Sequence, residues 1–340
     1  MTSAPSSAGT ISSFVHRLQG DPLQARLLLL LGLWIASLAA MSLLSPYFLQ
    51  ARTVPYLLQY IPILGLLGLG QTLVILAGGP GIDLSVGSIV SLVGVFTGAL
   101  VTAGIGVWPA SAAGILLGAG LGFCNGFLVN VLRIPSLMAT LATMFAFGGL
   151  ALASTGGRPI GGFPAEFGWL GQGTTFGLPN AFLFVLLPVA FVLHVMLTRT
   201  VTGRHIVACG NDDRAAHLAG LNVIRIRVGL YMLSGVLAAI GSVVSLSWFL
   251  AARPDAGKGM ELLSVTIAVL GGTHIFGGTG GIPGTIVAIL IVTTLQIGLQ
   301  LANISAAWQL GLIGVLLIAS VSATGVFRGG VFRRLRRAGS

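Results

Sequence analysis

Few side chains in this 340-residue chain can do chemistry. There are seven acidic residues and five histidines, and Lys258 is the single lysine. Asp83, inside the stretch AGGPGIDLSVGS over 77–88, is the only carboxylate between Asp21 and Glu166. A lone carboxylate in apolar surroundings can couple a proton, contact a solute or cap a helix start. The GGPG break before Asp83 and the helix-compatible apolar run from Leu84 favour the cap. There an Asp accepts N–H groups of the first turn, and its charge suits the positive end of the helix dipole. Solute contact is the main rival, and proton coupling stands behind it.

Catalysis finds no support. Around Lys258 the spacing of a P-loop would need glycine at Ala252 and Ser or Thr at Gly259, so no Walker A motif is present. His16, His194, His205, His217 and His274 show no metal-ligand spacing, and no metal site is expected. Gly-x-Ser-x-Gly is missing, and no carboxylate pair lies within an apolar run. Cys124 and Cys209 suggest no disulfide framework. Catalytic residues and a cofactor on this chain are therefore not expected.

These residues are set in a membrane protein. The chain is 55% hydrophobic and only 7% charged, and its mean hydropathy is +1.00, against about 25% charged residues in a soluble domain. The net charge of +10 does not point to nucleic acid, because the basic residues are not interleaved with aromatics that could stack on bases. A span needs roughly 20 mostly apolar residues, which predicts an all-α polytopic fold of about ten helices: 27–46, 56–77, 84–104, 107–132, 136–154, 180–198, 228–250, 261–277, 282–302 and 305–325. A tail over 1–26, a transmembrane domain over 27–325 and a basic tail over 326–340 complete the chain. Lys and Arg gather on alternate loops, which predicts that both termini are cytoplasmic, that 199–227 is an inner loop and that Asp83 lies at the inner membrane edge. Trp108, Trp169, Trp248 and Trp308 then fall at or near the outer boundary.

Gly114, Gly118, Gly122 and Gly126 recur every fourth residue. Such a ridge lets helices approach closely in lipid, and a tightly packed, Gly-rich bundle is expected. Embedded polar groups are costly and usually face the bundle interior or a water-filled path. Gln71, Asp83, Ser85, Asn125, Asn130 and Gln296 are candidates for such a path, and their hydroxyl and amide groups suit a neutral polyhydroxylated solute; each also reads as a plain bond between helices. In the inner loop, Asn211, Asp212 and Asp213 can cap a short helix with Ala215, Leu218 and Ala219 on one face, ended by Gly220. It is marginal alone and wants a partner surface, either a second protein or its own bundle.

The stretch from Gly70-Gln71-Thr72 through GGPGIDLSVGS resembles the signature of the permease subunits of ribose-, xylose- and arabinose-type ABC importers. FCNGFLVNVLRIPSLMATLATM at 123–144, TGRHIVACGNDDRAAHLAGLNV at 202–223 and VLGGTHIFGGTGGIPGT at 269–285 follow in the same order. The resemblance implies a translocation subunit in the inner (cytoplasmic) membrane, paired with a second copy or a sister permease. It further implies a cytosolic ABC ATPase carrying ATP and Mg, and a periplasmic or lipid-anchored solute-binding protein. Gly203, Arg204, Gly210, Asn211, Ala215, Ala216 and Gly220 match the loop pattern that docks on the ATPase, with Arg214, His217 and Leu218 beside them. Pro80 and Gly81 are two residues more than the usual Gly-Gly-Ile-Asp-Leu-Ser. A sugar or polyol is the expected solute, and a proton- or cation-coupled transporter using Asp83 is the competing reading.

Overall fold

The computed structural model describes residues 22–50, 53–79 and 81–329. The tails assigned to 1–26 and 326–340 lie outside it, apart from 22–26, which begin the first helix, and 326–329, which end the last; Pro80 lies outside as well. Each predicted apolar stretch falls on a helix. They are α1 (Pro22–Leu44), α2 (Thr53–Leu76), α3 (Val86–Thr102), α4 (Val107–Asn130) and α5 (Ser136–Thr155), followed by α6 (Leu187–Arg199), which is entered through a π-helical turn at Phe182–Leu186. After them come α7 (Val201–Asn211), α8 (Asp213–Leu218), α9 (Val223–Phe249), α10 (Met260–Leu270), α11 (Ile282–Leu301) and α12 (Ala306–Gly329).

Seven of these helical stretches are long and apolar enough to cross a membrane, whereas α3, α10 and the 307–319 part of α12 are shorter apolar helices. The short ones mark where expectation and structure part. The eighth apolar stretch was expected to run to 277, but α10 stops at Leu270. Gly272 there adopts φ +100°, and 271–281 leaves the helix as a glycine-rich loop. The third stretch begins two residues late, at Val86. The loop over 199–227 holds a helix that apolar periodicity had not shown, α7, with Thr200 accepting the Gly203 N–H at its start.

Packing follows the sequence pattern. Most of α2 is buried, with Leu64, Leu66, Leu69 and Leu73 inaccessible. It forms the centre, flanked by α9, α10 and α11. The glycine ridge of α4 meets α9: a Cβ on Gly118 would lie 2.7 Å from the Gly235 carbonyl, and one on Gly122 would lie 3.0 Å from Met232 Cα. Gly126 meets Val228, while Gly114 faces Thr97 and Val93 of α3. At the tryptophan-bearing end of α9, the segment 157–181 covers the bundle. It carries a small antiparallel pair, β1 (Thr174–Thr175) and β2 (Leu178–Pro179). Ser247 bonds both the Phe167 carbonyl and the Gly171 N–H there, Trp108 sits edge-on to Phe167, and Trp248 packs on Tyr56 and Tyr60. Helix α9 has 27 residues, about 40 Å of rise, so this end lies far from Arg225 and Arg227 at its start.

Candidate functional site

Beyond Leu76 the chain turns back into the bundle. Gly78 and Gly79 both adopt positive φ, 74° and 67°, the region glycine enters without steric penalty. The return is held by Gln71. With its amide oriented to satisfy both partners, the side chain donates to the Asp83 carbonyl at 3.0 Å and accepts from the Asp83 N–H at 3.1 Å. Gln71 precedes the end of α2 by five residues, so Asp83 has climbed back about 8 Å alongside that helix. Non-helical backbone at such depth is tolerated where protein buries it and supplies its hydrogen bonds.

The Asp83 side chain is wholly buried. Its Oδ1 accepts from the Ser85 N–H at 3.0 Å and the Ser85 hydroxyl at 2.7 Å, with Asn125 Nδ2 at 3.5 Å. Asn125 Nδ2 also donates to Ser85 Oγ at 2.6 Å, and the Ser234 hydroxyl reaches Asp83 Oδ2 at 3.4 Å. One residue earlier, the Ile82 carbonyl accepts from Thr140 at 3.2 Å and Tyr231 at 3.4 Å. Helices α2, α4, α5 and α9 thus converge on two consecutive residues of the break. The expected cap is corrected: Ser85, not Asp83, is the N-cap of α3 and makes no side-chain cap bond, and the N–H that Asp83 holds is that of Ser85, ahead of the first helical turn. Within the bundle Asp83 sits opposite Ser234, eleven residues into α9 and about 16 Å from that helix's start.

The six residues proposed for a path do not form one group. Gln71, Asp83, Ser85 and Asn125 come together and bond to one another. Asn130 donates instead to the Gly126 carbonyl and lines a cavity of about 470 Å³ at the arginine-bearing end, with Arg133, His217 and Arg227. Gln296 donates to Tyr60 across α2 and α11. Ser234, Tyr231 and Thr140 were missed, because a hydroxyl in an apolar helix carries no local mark of what it faces.

At the arginine-bearing end, Asp212 caps α8, accepting from the N–H groups of Arg214 at 2.8 Å and Ala215 at 3.0 Å. Gly220 follows with φ +83°. Ala215, Leu218 and Ala219 are exposed, Leu218 at 87%, as are Arg214 and His217. Helix α8 therefore does not bury its apolar face on its own bundle. Ala216 points the other way and is buried. Two other residues assigned to the docking loop turn inward: Gly203 packs on the Leu197 carbonyl, and Gly210 on the Leu76 carbonyl and Gly278. Asn211 touches Gly278 but stays exposed, as does Arg204. Cys209 is buried and Cys124 exposed, and among the described residues no His, Cys, Asp and Glu cluster could hold a metal.

The sequence profile of one family, described as branched-chain amino acid transport system / permease component, matches residues 54–321. The ribose import permease protein RbsC of Bacillus subtilis (strain 168) is 37% identical over 308 residues, 90% of this chain and 94% of the relative. Its counterpart in Escherichia coli (strain K12) is 35% identical over 288 residues, 84% and 89% of the two chains. The autoinducer 2 import system permease protein LsrD of Klebsiella pneumoniae is 36% identical over 298 residues, 86% and 89% of the two chains. No solved structure matches this chain.

Proposed function

The chain belongs to the branched-chain amino acid transport system permease-component family, and from that premise we propose that the solute it passes is a small neutral polar molecule, a sugar or polyol. It is a translocation subunit of an ABC importer. The near-full-length likeness to ribose import permeases carries the solute assignment. The polar groups inside the bundle agree with it, being amides and hydroxyls apart from one carboxylate.

In this reading ATP is hydrolysed on a separate cytosolic ATPase, an extracytoplasmic binding protein delivers the solute, and a second permease completes the path. The arginine-bearing end faces the cytoplasm of a cell whose inner membrane holds the protein, supported by the excess of Lys and Arg on that side. Gln71, Asp83, Ser85 and Asn125 shape the wall of the path rather than meet the solute, since they are wholly buried and bonded to one another. Nothing favours a secondary transporter through Asp83, whose two carboxylate oxygens are both taken by donors of this chain.

The test is purification from the host with whatever ATPase and binding protein accompany the chain, followed by a sugar and polyol panel. Hydrolysis stimulated severalfold by one loaded binding protein is expected; no stimulation by any of them overturns the reading. A second outcome concerns α8. Replacing Arg214 and Leu218 together with alanine should leave the melting temperature unchanged, because both side chains are exposed, yet abolish solute-stimulated hydrolysis. Stimulation at the wild-type level would remove α8 from the docking surface.

A further inference from the structure

Arg227 joins the exposed inner helix to the re-entrant break. It lies in the first turns of α9, and its side chain is only 13% exposed. Two guanidinium nitrogens meet the Asp213 carboxylate in a fork, Nη1 at 2.9 Å and Nη2 at 2.5 Å. Nε and Nη2 also donate to the Ala77 carbonyl, at 3.1 and 2.9 Å. Asp213 is the first residue of α8, and Ala77 directly follows α2, where the turn toward Asp83 begins. One planar group therefore spans the docking helix and the root of the break.

The surroundings leave little slack. Three successive carbonyls at the end of α2 and just past it are taken: Ile75 accepts from the Gly78 N–H at 2.9 Å, Leu76 from the Gly278 N–H at 3.0 Å, and Ala77 from Arg227. A basic group at a helix C-terminus also suits the negative end of the dipole. Gly210 of α7 lies so close to the Leu76 carbonyl that a Cβ could not fit, and Gly277 lies as close to Gly78. A Cβ on Gly79 would lie 2.5 Å from the guanidinium carbon. Helix α7, the 271–281 loop and the end of α2 thus meet backbone to backbone at Gly210, Gly277 and Gly278, with the Asn211 side chain against Gly278, and Arg227 holds the Ala77 carbonyl at the edge of that junction.

We propose that Arg227 is a positioning residue that transmits displacement of α8, when a partner docks on it, to the 77–85 break and so to Asp83. The inference rests on the importer reading above. Its requirement is a donor that holds Asp213 and Ala77 at once. Arginine meets it with a rigid fork of five N–H donors, whereas lysine offers a compact point charge that reaches one partner or the other.

The experiment uses the assembled importer with Arg227→Lys, Asp213→Ala and the double variant. Two quantities are read: solute moved per ATP hydrolysed, and amide hydrogen exchange over 77–85 with and without a non-hydrolysable ATP analogue. Each single variant should lower transport per ATP roughly tenfold. The double variant should be no worse than either single one, because all three cut the same tie. The nucleotide-dependent change in exchange over 77–85 seen in the wild type should vanish, with melting within a few degrees of wild type. Variants that couple normally, or that keep the nucleotide response over 77–85, overturn the proposal. So does a melting temperature that falls in step with activity, which would make Arg227 a brace. An inactive wild-type complex overturns the importer reading and this inference together, whereas an active wild type with indifferent variants overturns the inference alone.

Discussion

A leucine at Gly118 should cost the bundle the close crossing of α4 and α9, and with it roughly 3 kcal/mol or more of stability. A Cβ at that position would lie 2.5 Å from the Ala239 Cβ and 2.7 Å from the Gly235 carbonyl oxygen. The second neighbour is backbone and cannot rotate away. The remaining leucine atoms would have to enter the same gap, so α4 and α9 would separate along their contact. In lipid, association rests on close packing, because leaving a neighbour exposes no apolar surface to water. The measurement is melting in detergent, with yield of monodisperse protein as the second readout. Gly120→Leu is the control: it lies on the same helix, is exposed, and has no neighbour within 4 Å of an added Cβ. A loss of several degrees and of most of the yield is expected for Gly118→Leu alone. Equal behaviour of the two variants would show that the ridge is not where the helices hold together.

What was readable in the sequence was local, and what was not depended on residues far along the chain. The period-four glycines mark one helix face without any knowledge of its partner, and the partner turns out to present a glycine of its own, Gly235, at the crossing. Asp212 and Gly220 bound α8 through their own backbone neighbourhood, which makes the cap legible from a few residues. The depth of Asp83 was not legible, because it is set by Gln71 reaching across to a backbone that returns beside it. An Asp after a glycine break looks the same whether the break stops at the surface or folds inward. The early end of α10 has a similar cause. Arg26 donates to the Gly272 carbonyl at 2.8 Å from another helix, and the His274 N–H donates to the Thr279 carbonyl as the loop closes on itself. Arg227 was visible only as one of five arginines in 199–227, since nothing in VIRIR distinguishes the arginine that faces a carbonyl from the one that faces water.

Asp83→Ala should lower stability by roughly 3 kcal/mol or more, because each buried donor left without an acceptor costs about 1–3 kcal/mol. The Ser85 N–H, the Ser234 hydroxyl and part of the Asn125 amide would lose their partner at once, in a pocket closed to water. Asn125 Oδ1 already has no partner there, so it offers the freed hydroxyls only one substitute acceptor. Asp83→Asn is the informative companion. Its Oδ1 can still accept from the Ser85 N–H and hydroxyl, its amide nitrogen can donate to a turned Ser234 hydroxyl, and a buried carboxylate is replaced by a group that is cheaper to bury. The asparagine variant should therefore melt within a few degrees of wild type and keep ATP-driven uptake to within a fewfold, while the alanine variant loses both. The pair separates two uses of one residue. A bracing acceptor survives removal of its charge but not of its oxygen, and a proton- or cation-binding group fails on losing its charge whatever the melting curve says. Uptake lost in Asp83→Asn at unchanged stability would move Asp83 from the wall of the path to its chemistry.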